Sequence, residues 1–538
     1  MKLETFKAIS APGKAGRSYH AVLDFINRFY IPIFILLSGV LFYLCFYHLD
    51  VKWVSEWDEA RHGINAYEMY KNKNFIVNTY NYENDYWNLK PPLSYWGVML
   101  GFRIFGFNVF SLRFYSAFCY FITCIIASLF VKRQSKLASL ATLGFFCASG
   151  LAFATHMARA GDADSLYTMF FTFAMLAMML VHENKKMLYI SGLCFALAFL
   201  TKSWHSGMIV MIGGLYLIIT GEIKKIKPKE WVFFILSFSM PLLLWAVTRY
   251  ILDGPRFFIE MLNTDLLNRT SSAMEGHEYP FAFYFQHIFN GYYQNMDGSY
   301  SLITKDGLYG NYIYKFALLI CIIGAIFFNV LFQREYKNKF LGYFLWFFVP
   351  FLAFSAAKTK LIWYVYPALI PLSMVAGIYT AKLLTSEQIL YKVKWIMFIG
   401  ITFLLIRYSA FNISAIQEVK GDELQSFISR SVSRDSTYAG ANAFIQTTSG
   451  ESFVVDWAQD KLFIGEISGD YHCMNGGMKA FLESSDTSVL YLSKDLYEIY
   501  KHDELKESTT LYQSENYYLL TKKGAYTNET TGIRKNQY

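Results

Sequence analysis

The chain has 538 residues, 54% of them hydrophobic and 17% charged, and a formal net charge of +8, with a mean hydropathy of +0.26. Soluble chains carry about 25% charged residues, so this composition argues against an ordinary soluble enzyme. The basic balance also fails to point to nucleic acid, because the lysines and arginines are scattered over short loops between apolar runs and no basic helix or aromatic strand motif accompanies them.

The chain opens with a polar, basic tail over 1–28, carrying Lys2, Lys7, Lys14, Arg17 and Arg28. The apolar stretch at 29–49 is long, rich in bulky residues and lacks a small-residue cleavage site. It therefore reads as a retained span and not as a signal peptide. A bilayer core needs roughly 20 apolar helical residues, and further spans are predicted at 110–131, 137–154, 164–182, 187–201, 206–220, 231–251, 311–331, 340–356, 362–382 and 394–412. Those at 187–201 and 206–220 are short, but dropping the pair leaves the sidedness unchanged. With the N-terminus cytoplasmic, the loops at 132–136, 183–186, 222–230, 333–339 and 381–394 fall inside, and they hold most of the loop lysines and arginines, as the positive-inside rule requires. Eleven spans place 413–538 on the other side, expected to be periplasmic if the membrane is a bacterial inner (plasma) membrane. The fold class is thus a polytopic α-helical membrane domain over 29–412 followed by a soluble C-terminal domain. Cys45, Cys119, Cys124, Cys147, Cys194 and Cys321 lie in or near spans and only Cys473 is in the tail, so no disulfide framework or CxxC metal motif is present.

The outer face has two long loops, about 50–109 and 253–310, and short turns near 155–163, 202–205 and 357–361. In the first loop, 64–70 and 93–105 have the pattern of interfacial amphipathic helices. The loop begins Glu56-Trp57-Asp58-Glu59-Ala60-Arg61-His62, which alone also fits a solvated turn with a local ion pair. In Asn88-Leu89-Lys90-Pro91-Pro92, two prolines make the backbone at Lys90 extended and allow a helix to begin after them. The next turn holds Arg159, Asp162 and Asp164, of which Asp164 is also explained as a helix N-terminal acid. Lys202 follows in a very short turn, and Lys358 and Lys360 make the one strongly basic outer turn, ahead of Tyr364. Charges at the membrane boundary are costly and mark function by default. Several cations with one or two carboxylates suit a phosphate-bearing ligand and a nucleophile that gives up a proton.

In this order the motifs resemble those of the GT-C glycosyltransferases, the superfamily of aminoarabinose transferases and protein O-mannosyltransferases. Asp58-Glu59-Ala60-Arg61, Lys90-Pro91-Pro92-Leu93 with Tyr95-Trp96, Ala158-Arg159 with Gly161-Asp162 and Asp164, Thr201-Lys202, and Lys360-Leu361 with Tyr364 and Pro367 carry the resemblance over about 29–412. It implies a GT-C fold of about 11–13 transmembrane helices and inverting transfer from a polyprenyl-phosphate sugar on the outer face. The resemblance does not carry over the sugar or the acceptor; a lipid A-like glycolipid, an envelope glycan and a protein stay open as acceptors, and membrane lipids are the surrounding partner. By the same resemblance Asp58 is the base, and Arg61, Lys202 and Tyr364 hold the donor phosphate. Lys90 organises the first loop beside it, with Lys360 as a further phosphate cation. Asp162 orients the acceptor or a cation, and Glu59, His62, Arg159, Asp164 and Lys358 are weaker substrate contacts. No cofactor is required, since positive charge on the leaving phosphate removes the chemical need for a metal; a divalent metal is the open alternative, which no ligand spacing supports. Relatives with an acid before the lysine of the second motif differ from this chain, where Leu89 precedes Lys90.

In the second loop His277, Glu278, His287 and Asp297 are metal-ligand types, but their spacing matches no standard site, and substrate gating is the better role for that loop. The tail mixes strand-like runs at 452–456 and 487–492 with a helical one at 477–483, which predicts a small α/β or α+β module acting as an acceptor-recognition element or a cap. A transporter or flippase of lipid-linked saccharide is the alternative function. Transporters bind near the midplane between repeated halves, whereas no repeat is evident here and the charges lie at span ends on one face. A purely structural scaffold leaves those one-sided charges unexplained.

Overall fold

The structure, a computed structural model, describes residues 14–154, 156–272, 276–290, 292–294, 300–302, 312–328, 334–434, 436–450, 453–454 and 458–522. Each predicted span coincides with a helix: Tyr30–Phe46, Val109–Lys132, Lys136–Ala148 with Leu151–Ala154, Asp164–Met179, Met187–Lys202, Gly207–Ile219, Pro228–Asp253, Tyr312–Phe327, Arg334–Ala356, Tyr366–Thr385 and Tyr391–Gln417. Start signals are visible in the residues. Asn108 accepts the Ser111 N–H at 2.8 Å and Ser135 accepts that of Ala138 at 3.4 Å, satisfying donors that a helix N-terminus leaves unpaired. Among the described residues five helical runs are long and apolar enough to cross a membrane, or six if the sharply bent pair Lys14–Arg28 and Tyr30–Phe46 forms one span. The shorter helices are central: Lys136–Ala148 buries every residue but the first. Pro228–Asp253 and Tyr391–Gln417 are apolar yet largely unburied by the rest of the protein, so most of their surface faces lipid.

Met187–Ile219 is helical without a break, but a straight run of that length would separate its ends by roughly 50 Å at 1.5 Å per residue. Lys185 and Glu222, which flank it, instead form an ion pair. The run therefore reverses at Ser203–Ser206, where Ser203 takes a φ of 41°. Two short helices and a turn, not one long span, carry Lys202.

The basic loops gather at one end. Arg133 pairs with Glu183 at 2.6 Å, Lys136 donates to the Asn27 carbonyl at 3.1 Å, and His20 meets the Tyr391 hydroxyl at 2.9 Å. At the other end the first loop folds as the Asp58–Lys71 helix, a hairpin of Thr79–Tyr80 with Glu83–Asn84, and the Leu93–Phe105 helix. Ten of the residues from Glu59 to Met69 are buried, so the segment 64–70 is enclosed by protein. Leu93–Phe105, with Trp96, Leu100, Ile104 and Phe105 exposed, is the loop helix that presents an apolar face outward.

The C-terminal residues form a five-stranded mixed sheet in the order 472–473, 442–446, 488–493, 517–522, 508–513, the first three strands parallel and the last two antiparallel. The predicted helix at 477–483 and strand at 487–492 are present as Gly477–Glu483 and Ser488–Ser493. Residues 452 and 455–456 of the other predicted strand lie outside the described residues, and Phe453 and Val454 are not in a strand. Alternation along the strands splits the core. Phe444, Leu490 and Leu492 pack against Phe481 and Leu496, whereas Ala443, Ile445, Val489 and Tyr491 share a cluster with Phe463 and with Ala60, Ile64 and Tyr67 of the first loop. The tail is thus a cap whose core is continuous with the loop that carries Asp58.

Candidate active site

The site is assembled by buried ion pairs that hold loop segments to one another. Glu59, next to Asp58, accepts from Arg113 at 2.6 and 3.0 Å and from the Gly161 N–H at 2.8 Å. One carboxylate thus fixes both the Asp58 helix and the 156–163 turn, and brings Asp162 beside Asp58. Gly161 is required there, because a Cβ would sit 2.3 Å from Leu112. Arg159 donates to the carbonyls of Leu44, Cys45 and His48, so its guanidinium ties down the end of the first span. Arg61 makes a two-pronged pair with Asp85 at 3.0 and 2.9 Å and lies 4.0 Å from the Tyr80 ring centroid, although it still reaches the cavity wall. His62 is fully buried against Tyr95 and off the cavity, and burial, then Lys90, pushes its pKa down to about 3.

A cavity of about 120 Å³ accessible to water opens between the first loop, the 202–205 turn and the segment around 265–269 and 361–364. On one side Lys90 places its ammonium 3.4 Å from Asp58, 3.5 Å from Asp162 and 3.1 Å from the Asn88 amide oxygen. Pro91 and Pro92 precede the Leu93 helix as expected. His156 donates its Nδ1–H to the Asp162 carboxylate at 2.7 Å. Burial by itself raises the Asp58 pKa, even though 42% of the side chain faces the cavity. The Lys90 ammonium, helped by His156 and Lys202, outweighs burial and the Asp162 charge, and the carboxyl lies below the usual range. Asp162 is likewise held well below it, by Lys90 and then His156, against burial. Asp58 is therefore ionised at neutral pH and able to accept a proton.

On the other side Lys202 pairs with Asp164 at 2.5 Å and lies 5.5 Å from the centre of the Tyr364 ring. Arg269 pairs with Asp265 at 3.2 Å and reaches the Tyr364 hydroxyl at 3.4 Å. Burial raises the Asp265 pKa, with Arg269 opposing. Two cations and a phenol converging on a pocket are a fork for an oxyanion such as a phosphate. Lys360 donates to the Ala357 carbonyl at 2.6 Å and Lys358 is exposed 3.6 Å from Glu278; neither lines the cavity.

Asp58, Lys90, Asp162, Lys202 and Tyr364, expected from the sequence, come together around this cavity. His156, Asp265 and Arg269 join them without having been expected. Among the described residues, Asp58, His156 and Asp162 are the one group of three whose ligand atoms, within 4.8 Å of one another, fit a metal ion. The Lys90 ammonium already supplies positive charge between the two carboxylates. His277, Glu278 and His287 do not converge in this way, and Asp297 lies outside the described residues.

Residues 89–245 match the family model for dolichyl-phosphate-mannose-protein mannosyltransferase. An uncharacterised protein of Aquifex aeolicus (strain VF5) is 25% identical over 390 residues, 70% of each chain. An undecaprenyl phosphate-alpha-4-amino-4-deoxy-L-arabinose arabinosyl transferase of Photorhabdus laumondii is 26% identical over 350 residues, covering 62% of this chain and 57% of the relative. The crystal structure of ArnT from Cupriavidus metallidurans bound to undecaprenyl phosphate superposes with a TM-score of 0.60 at 13% identity, over 90% of this chain and 97% of that one. At that identity the superposition speaks for the fold, and it extends across both the membrane domain and the cap.

Proposed function

We propose that this chain, a multi-pass membrane glycosyltransferase of the aminoarabinose-transferase and protein-mannosyltransferase kind with the GT-C fold, transfers a sugar from a polyprenyl-phosphate donor to an acceptor on the extracytoplasmic face. The observation that carries the reading is the division of one cavity into an ionised carboxylate pair around Lys90 and a cationic fork of Lys202, Arg269 and Tyr364. A similar protein has been crystallised with undecaprenyl phosphate, and such a phosphate matches the fork.

In the reaction the acceptor oxygen attacks the anomeric carbon from the face opposite the leaving group. The new C–O bond forms as the bond to phosphate breaks, and the configuration inverts. Asp58 takes the acceptor proton where the acceptor is a hydroxyl, and Lys202, Arg269 and Tyr364 stabilise the charge on the departing phosphate. Lys90 keeps Asp58 charged while neutralising its repulsion with Asp162. Arg61 acts by holding the first loop to Asp85, and Glu59 and Arg159 act by fixing the turns around it.

The test uses the purified protein in lipid vesicles with undecaprenyl-phosphate-linked sugar and an envelope glycolipid extract as acceptor. Release of undecaprenyl phosphate with matching glycosylation of the extract is the expected outcome. Asp58→Asn should lower the rate by roughly 10²–10⁴-fold, the span of a general base, while undecaprenyl phosphate still binds. Full-rate transfer by Asp58→Asn excludes it as the base. Movement of lipid-linked sugar across the vesicle without phosphate release identifies a transporter instead.

A further inference from the structure

We propose that His156 is a positioning residue that couples the two halves of the cavity, its imidazole holding Asp162 on the carboxylate side and its stacked ring holding the segment that carries Tyr364 on the phosphate side. The inference rests on the transferase reading above.

His156 stands at the head of the 156–163 turn with a φ of 55°. A non-glycine residue rarely adopts that conformation, and it persists where surrounding contacts over-determine it. Two contacts do so here. Nδ1 lies 2.7 Å from Asp162 Oδ2, and the imidazole plane lies 3.6 Å, centroid to centroid, from the Trp363 ring at 16°.

The first contact selects an orientation. With Oδ2 engaged by His156, Asp162 Oδ1 accepts the Ala163 N–H at 2.6 Å and faces the Lys90 ammonium that it shares with Asp58. The Asp162 side chain is 2% exposed, so loss of one partner leaves a buried carboxylate free to seek another and to take Lys90 with it. The second contact reaches across the site. Trp363 lines the cavity and belongs to the Ile362–Val365 turn, directly before Tyr364, whose hydroxyl meets Arg269. A displacement of Trp363 therefore moves a phosphate ligand.

Two substitutions separate these contacts. Asparagine tolerates φ > 0 better than most residues, and its amide nitrogen overlays the position of histidine Nδ1, so His156→Asn keeps the Asp162 hydrogen bond and loses the stack. His156→Phe keeps a ring on Trp363 and loses the hydrogen bond. His156→Phe should lower kcat by about 10- to 100-fold with the donor KM within twofold of the parent, the scale of a misplaced reacting group. His156→Asn should keep kcat within about threefold and raise the donor KM, and the Kd for undecaprenyl phosphate, by about 5- to 10-fold, the effect of weakening one charge-assisted contact. Thermal melting of both purified variants controls for folding. The proposal is overturned if both variants change the same parameter together, as a packing histidine would, if neither changes any, or if added divalent ions restore His156→Phe. Parent protein that binds undecaprenyl phosphate but transfers nothing defeats the transferase reading instead. The Kd comparison still judges the coupling in that case.

Discussion

At the scale of single residues the decisive feature is one ammonium serving two carboxylates. Asp58 and Asp162 both lie within 3.5 Å of Lys90, and without that cation burial and mutual repulsion would force the pair to share a proton. The sign of the resulting pH effect follows. In the parent, Lys90 outweighs burial and holds Asp58 below the ordinary carboxylate range, so Asp58 stays charged at neutral pH. In Lys90→Met that opposing charge is gone, and the Asp58 pKa rises. The proton that blocks the base is then lost only at higher pH, so the acidic limb of the kcat profile moves up and the residual activity grows as pH increases. The measurement is polyprenyl phosphate release between pH 5 and 8.5 by both proteins. An unchanged acidic limb in Lys90→Met means that Lys90 does not set the charge of the base.

At the scale of elements, the Asp58 helix is held between the membrane domain and the cap. Tyr67 donates to Asp470 at 2.5 Å, Lys71 pairs with Asp470 at 2.8 Å, and Gln425 bonds the backbone N–H and carbonyl of Val54 at 3.0 and 3.1 Å. Gly63 is a point of close approach, since a Cβ there would stand 2.6 Å from the buried Phe463 ring. Glycine to alanine inside a helix ordinarily stabilises by up to about 1 kcal/mol, but overpacking a core costs about 1–3 kcal/mol. Overpacking should outweigh the gain in helix propensity, so Gly63→Ala is expected to lower the melting temperature of the purified protein. A rise in melting temperature implies that the cap is not seated on this helix. This interface also shows what the sequence leaves hidden. Asp58, Lys90, Asp162 and Lys202 were legible because charges on one face beside apolar runs stand out, and Tyr364 only through the family resemblance. Arg269 and Asp265 were not, since they sit in a long loop of mixed composition where a functional pair looks like any other. Arg61 was legible as a cation but not as the partner of Asp85, 24 residues away, and His156 has no periodicity linking it to Asp162. Element positions follow from local pattern, whereas partner choice depends on how loops fold back on one another.

At the scale of the whole molecule, charge is divided between two ends. Lys132, Arg133, Lys136, Lys185 and Lys225 gather with the Lys14–Arg28 helix, while the cavity and the cap occupy the opposite end. The positive-inside rule assigns the first end to the cytoplasm, and a transferase fed by lipid-linked sugar at the cavity would then work on the extracytoplasmic surface. Thiol labelling decides this orientation with little background, because six of the seven native cysteines are buried and Cys321 is partly so. Glu515→Cys lies exposed on the cap and Asn184→Cys is exposed in a basic loop. In cells whose plasma membrane is intact, a membrane-impermeant maleimide should modify Glu515→Cys and spare Asn184→Cys, and Asn184→Cys should react once that membrane is permeabilised. The reverse pattern would put the cavity in the cytoplasm. Lys202, Arg269 and Tyr364 would then face a donor on the other leaflet, so the labelling result fixes which pool of polyprenyl-linked sugar reaches Asp58.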